Sequence, residues 1–111
     1  MGNTVFTLFS AKTTTGTSAN ALVAHAADGA ASWRVQASGT YGAGTTVKLE
    51  DSLDGTTWTE LVAAIATGEE YDGPASASLL RANVTVHEGG GKTVTVKAIL
   101  NGDGYATEQA L

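Results

Sequence analysis

The sequence predicts an all-β domain, a two-sheet antiparallel β-sandwich of seven or eight short strands, with a jelly-roll-like topology preferred over an immunoglobulin-like one. Three features point there. Thr, Val and Ile supply 28 of the 111 residues, and β-branched side chains pack well on a pleated surface while crowding a helix. Turn signals recur at intervals of about 10 to 18 residues, a spacing that suits short strands. They fall at Asp28-Gly29, Tyr41-Gly42-Ala43-Gly44, Asp54-Gly55, Asp72-Gly73-Pro74, Glu88-Gly89-Gly90-Gly91 and Asn101-Gly102-Asp103-Gly104. At each, glycine reaches positive φ or an Asx side chain closes the turn. Finally, four segments alternate apolar with polar residues, the period of a strand buried on one face.

In chain order, Thr4 to Ser10 is apolar on both faces, with Val5 and Phe9 on one and Phe6 and Leu8 on the other. The polar run Thr13-Thr14-Thr15-Gly16-Thr17-Ser18 follows it, so residues 1–18 read as an N-terminal arm and linker. Such an arm offers an extended edge to a neighbour, which makes Val5, Phe6, Leu8 and Phe9 candidate contacts with a binding partner or an adjacent subunit. On this reading, deleting residues 2–12 leaves a folded sandwich. Asn20 to Ala27 is a weaker strand. In Ser32 to Ser38, Trp33, Val35 and Ala37 alternate with Arg34 and Gln36, which places Trp33 in the core. Val47 and Leu49 alternate with Lys48 and Glu50 within Thr45 to Ser52.

Next comes the most distinctive run, Ser52-Leu53-Asp54-Gly55-Thr56-Thr57-Trp58, a hairpin in which Asp54 bonds backbone amides, Gly55 takes positive φ and Trp58 returns over the loop. These three residues are assigned a structural turn. Thr57 to Ala63 is a further weak strand, and Leu61 to Ala66 suits a strand or loop better than a helical turn. Leu80, Ala82, Val84 and Val86 alternate with Arg81, Asn83 and Thr85. After the glycine loop, Val94, Val96, Ala98 and Leu100 alternate with Thr93, Thr95 and Lys97. Residues 101–111 show no period and are expected to be mobile until a partner orders them. The chain is thus one domain over residues 1–111: arm and linker at 1–18, sandwich at 19–100, tail at 101–111. Surface scaling buries roughly 65% of the unfolded chain's surface at this size.

Composition excludes several functions. There are 11 acidic and 6 basic side chains, for a net charge of −5. The basic residues Lys12, Arg34, Lys48, Arg81, Lys92 and Lys97 are scattered, whereas a nucleic-acid groove needs them clustered. No apolar run reaches a membrane-spanning length, and no signal peptide is visible. With no cysteine, disulfides, thiolate metal sites and cysteine nucleophiles are out. The acid clusters Glu50-Asp51-x-x-Asp54 and Glu69-Glu70-x-Asp72 lack the spacing of a dedicated calcium loop and read as solvated turn acids. His25 and His87 are the available general bases, and neither sits near a nucleophile motif. Gly89-Gly90-Gly91-Lys92 lacks the spacing of a phosphate loop. The expectation is therefore no enzyme, with no catalytic, cofactor-binding or metal-binding residues. Tyr41, Tyr71 and Tyr105, all placed in loops, are the aromatics left free for a sugar.

Assembled in order, the apolar start Val5-Phe6-Thr7-Leu8-Phe9-Ser10, the strand Trp33 to Thr40, the run Val47 to Leu61, and Leu80-Arg81-Ala82-Asn83-Val84-Thr85 leading through glycines to Thr93-Val94-Thr95-Val96 resemble the small β-sandwich structural proteins of tailed bacteriophage virions. The resemblance implies a head decoration (cement) protein that binds and stabilises the assembled capsid. Its partner would be the major capsid protein, its assembly a homo-oligomer (a trimer in preference), and its place the outer capsid surface after synthesis in the host cytoplasm. The alternative is a carbohydrate- or host-surface-binding sandwich module of a phage tail or fibre.

Overall fold

The computed structural model describes residues 4–75 and 79–111, with the side chains of all of these except 26–30 and 103. Eight strands follow one another: β1 (Phe6–Lys12), β2 (Gly16–Thr17), β3 (Asn20–Gly39), β4 (Thr46–Ser52), β5 (Thr59–Val62), β6 (Glu70–Pro74), β7 (Leu79–Val86) and β8 (Val94–Ala110). All strand pairings among the described residues are antiparallel. The two sheets of the sandwich share two strands. β3 and β8 are long, 20 and 17 residues, and pair with each other along nearly their whole length. Their Ala31–Gly39 and Val94–Gly102 halves join β1 and β6 in one sheet. Their Asn20–Ala26 and Gly104–Ala110 halves join β7, β4, β5 and the short β2 in the other.

The crossing point is written in glycines. Between sheets, β3 takes five steps from Ala26 to Ala31 while β8 takes two from Gly104 to Gly102. Three surplus residues on β3 form a bulge, and bulges bend a strand and raise its twist. Asp28-Gly29 and Asn101-Gly102-Asp103-Gly104 are therefore not hairpin turns as expected, but the corner of a continuous ribbon. Nor is Asp72-Gly73-Pro74 a turn. It lies in β6, where Gly73 pairs with Trp33 and Pro74 with Ser32. Proline is tolerated there because β6 is an edge strand.

The facing sheets enclose one core. Trp33, Val35, Ala37, Val94, Val96, Ala98 and Leu100 come from the first sheet, and Leu22, Val47, Leu49, Leu80, Ala82 and Val84 from the second. Leu22 apart, which comes from the weaker stretch Asn20 to Ala27, these are the alternating positions of the four periodic segments. Val86 is the exception: at 52% exposed, it stands where β7 leaves the sandwich. Where β3 ends, Gly39 sits at φ +124°, and a Cβ there would come within 2.2 Å of the Thr93 carbonyl oxygen. Only glycine allows the two backbones to close at that point.

Both chain ends depart from expectation. Residues 6–12 are not an arm: β1 pairs with β8, Phe6 opposite Ala98 and Lys12 opposite Val94. Register shifts on either side of Phe9 break the alternation, so Leu8 and Phe9 are both buried, at 8% and 6% exposed. That is why this stretch reads as apolar on both faces. The supposed linker is also tied down. Gly16 and Thr17 pair with β7, and buried Ser18 donates its N–H to the Ala82 carbonyl at 2.8 Å. The supposed mobile tail is the second half of β8, in register with Asn20–Ala26. Its final bond runs from the Leu111 N–H to the Ala19 carbonyl, 2.9 Å.

Candidate functional site

The Ser52–Trp58 turn is built from side-chain bonds to its own backbone. The Asp54 Oδ1 accepts from the N–H groups of Thr56 and Thr57 at 2.8 and 2.9 Å. The Ser52 Oγ accepts from the N–H groups of Asp54 and Gly55 at 3.2 and 2.8 Å and donates to Asp54 Oδ1. Gly55 holds φ +81°, and its Cα lies over Leu79, which the turn covers on the outer side of the second sheet. Leu53 points away, 80% exposed. Trp58 carries the Arg81 guanidinium over its ring at 4.1 Å. The Arg81 Nε also donates to Glu50 at 2.8 Å, in a pair only 19% and 14% exposed. Asn83 Nδ2 reaches the same carboxylate. Replacing Arg81 with Ala is expected to cost about 2 kcal/mol, since it strands a largely buried carboxylate and removes a cation–π contact. The Glu50→Ala, Arg81→Ala double variant should lose less than the sum of the singles in urea unfolding.

A second cluster ties three loops together at one end of the sandwich. Glu88 Oε2 accepts from the Gly42 N–H and the Thr45 hydroxyl, both at 2.9 Å. Buried Tyr41 donates to the Ile65 carbonyl at 2.8 Å. It is thus not a free loop aromatic, and burial pushes its phenol pKa up. Tyr71 likewise lies in β6, packed against the core. Between the 41–46 and 64–67 segments runs a groove of about 410 Å³, lined by Tyr41, Thr45, Ala64 and Ile65 among others. Beside the same loops, His87 accepts the Gly89 N–H at Nδ1, which leaves Nε2 to donate to the Lys92 carbonyl, 2.9 Å each. His87 thereby braces the glycine hairpin. His25 stacks on Tyr105 with centroids 4.7 Å apart and shares a hydrogen bond with Thr107.

The acidic runs dissolve into separate tasks. Glu70 and Asp72 flank Arg34 at 3.5 and 3.3 Å on the outer face of the first sheet. Glu69 accepts from the Ala66 N–H. Asp51 is not a solvated turn acid: it is 8% exposed, and burial raises its pKa. Among the described residues, no group of three or more His, Asp or Glu side chains converges as a metal ion would require. Of the four expected contact residues, Leu8 and Phe9 belong to the core and cannot meet a partner. Val5 is 61% exposed and Phe6 partly buried. Sequence reading missed the Arg81–Trp58 and His25–Tyr105 stacks, because each joins residues more than twenty positions apart.

These electrostatics set an acid response. Backbone N–H groups of Thr57 and Thr56 and the Ser52 hydroxyl hold Asp54 below the usual carboxylate range. The Gly42 N–H and Thr45 hydroxyl do the same for Glu88. A carboxylate whose folded pKa is depressed contributes stability that is complete above its unfolded pKa and lost as pH falls through the folded one. Asp51 acts in the opposite sense, its burial penalty disappearing as it is protonated. The Tm should therefore drop below about pH 4. An Asp54→Asn, Glu88→Gln variant should melt lower than the parent at pH 7, and that gap should close by pH 2. A gap that persists undiminished in acid would show that ionisation is not what holds these loops.

The fold and these surfaces define a single antiparallel β-sandwich with its polar groups spent on loops and sheet faces. No protein-family profile and no curated protein matches the sequence. Among solved structures, the SPBc2 prophage-derived protein YomS is similar, with a TM-score of 0.66 at 14% identity over 90% of this chain and 94% of that one. The likeness is one of fold, extending over nearly the whole of both chains.

Proposed function

We propose that this protein is a virion structural protein of a tailed phage, a decoration protein that binds and reinforces the assembled head. The supporting observation is the sandwich shared almost end to end with a prophage-derived protein, alongside the sequence resemblance to small virion sandwiches. The major capsid protein is its partner and the outer capsid surface its location. It acts by binding, without catalysis. Val5 and Phe6 remain contact candidates, since Val5 stands exposed beside Lys97 and Ile99 on the outer face of the first sheet.

The test is co-sedimentation of the purified protein with decoration-free shells, followed by heating of the loaded and bare shells. Saturable binding that raises the temperature of shell rupture supports the reading, and failure to bind shells defeats it. A second reading rests on one observation: Tyr105 is 63% exposed and backed by His25, a geometry suited to stacking on a sugar ring. Glycan-array binding abolished by Tyr105→Ala would favour the tail or fibre module instead.

A further inference from the structure

Among the described residues, and leaving aside the two-residue β2, four strand edges bound the sheets, and three of them are blunted. β1 has register shifts, a positive φ at Ala11 and the charged Lys12. β5 is four residues long and bears Glu60. β6 carries Glu70 and Asp72 and ends in Pro74. Such features keep an open edge from recruiting another strand. The fourth edge, Gly104–Ala110 of β8, carries one charged side chain, Glu108, but it is seven residues long, has no proline or register shift, and among the described residues pairs on one side only. The Leu111 N–H points to Ala19, so strand alternation turns the odd-numbered residues' backbone groups toward β3. Those of Gly104, Ala106, Glu108 and Ala110 face outward.

We propose that this edge pairs with the same edge of a second copy, antiparallel about a two-fold axis at Thr107, to make one sheet continuous across a dimer. Self-complementarity selects both the occupant and the register. Centred on Thr107, Ala106 meets Glu108 of the second copy and Gly104 meets Ala110, so every outward N–H and C=O finds a partner. Centring on Glu108 would oppose two carboxylates, which is unfavourable, and centring on Ala106 would run the pair into the corner at Gly102. The chosen register also resolves an exposure. Tyr105 and Leu111, 63% and 51% exposed, share a face of the strand, and Leu111 of the second copy becomes the diagonal neighbour of Tyr105, within reach of an aromatic ring. A strand pair of this length lies at the small end of interfaces. Because each copy carries −5, added salt should strengthen it. The pairing does not depend on the proposed virion role, and it differs from the trimer that the resemblance implies.

Sedimentation of the full chain from about 10 to 500 µM, a range suited to a weak complex, should show a monomer–dimer equilibrium that shifts toward dimer with salt. Glu108→Pro deletes an outward N–H without removing a bond to β3, and should be monomeric with unchanged circular dichroism. Thr107→Cys adds the one thiol of the chain at a non-hydrogen-bonded pair, where Cα atoms approach to about 4.5 Å and a disulfide is allowed. It should form a covalent dimer several-fold faster than Thr59→Cys on the β5 edge. A monomer throughout that range, an oligomer that survives Glu108→Pro, or equal cross-linking of the two cysteine variants would overturn the proposal. If Glu108→Pro does not fold, the cross-linking comparison decides.

Discussion

Removal of residues 2–12 is expected to abolish the folded state. β1 contributes Leu8 and Phe9 to the core, and truncations at such sites cost about 2–5 and 3–5 kcal/mol respectively. Together these approach the whole of a small domain's stability, roughly 5–15 kcal/mol. The deletion would also uncover the β8 backbone at Val94, Val96 and Ala98, which now pairs with β1, and leave an apolar edge open to aggregation. Two measurements check this: the circular dichroism of the truncated protein and the urea midpoint of Phe9→Ala. A truncated protein with native circular dichroism and a cooperative melt would restore the arm reading of this segment. A Val5→Asp variant, by contrast, should fold normally, because Val5 is exposed, and should report on the proposed capsid contact alone.

The sandwich was legible where one face of a strand is buried and the other wet. Trp33 to Ala37, Val47 to Leu49, Leu80 to Val84 and Val94 to Leu100 announce themselves by period two, and their inward residues form the core. Legibility fails where that physical cause is absent. In β1, bulges shift the parity, so burial of both Leu8 and Phe9 erases the alternation. In Gly104–Ala110 hardly any side chain is buried, and the strand is specified by its ladder to Asn20–Ala26 rather than by hydrophobicity. Glycine is the other source of error, since a local signal for positive φ does not distinguish a hairpin from a bent ribbon. Gly102 and Gly104 have φ of 100° and 119°, yet the strand continues through both. The clusters around Arg81 and Glu88 were hidden for a different reason. Each joins groups 23 to 46 positions apart, and only the register of the sheets brings them together.

Trp33→Ala is expected to be the most damaging single substitution in the core, costing about 4–5 kcal/mol. The side chain is the largest of the fully buried ones, 1% exposed, and its strand position lies between Leu100 of β8 and Gly73 of β6. Both neighbouring strands are held by their own ladders, so the site cannot collapse readily around the missing ring, and the cavity term persists. Trp33→Phe should behave quite differently. Among the described residues the indole Nε1 is buried with no hydrogen-bond partner, and an unpaired buried donor costs about 1–3 kcal/mol. Phenylalanine removes that donor while keeping most of the ring's apolar contact, so the loss of volume is offset and the net cost should be about 1 kcal/mol. Urea unfolding followed by far-ultraviolet circular dichroism separates the two variants without relying on the fluorescence that the substitutions alter. If Trp33→Phe proves as damaging as Trp33→Ala, the indole N–H is engaged in an interaction that the native state needs, and the core at this position is not held by packing alone.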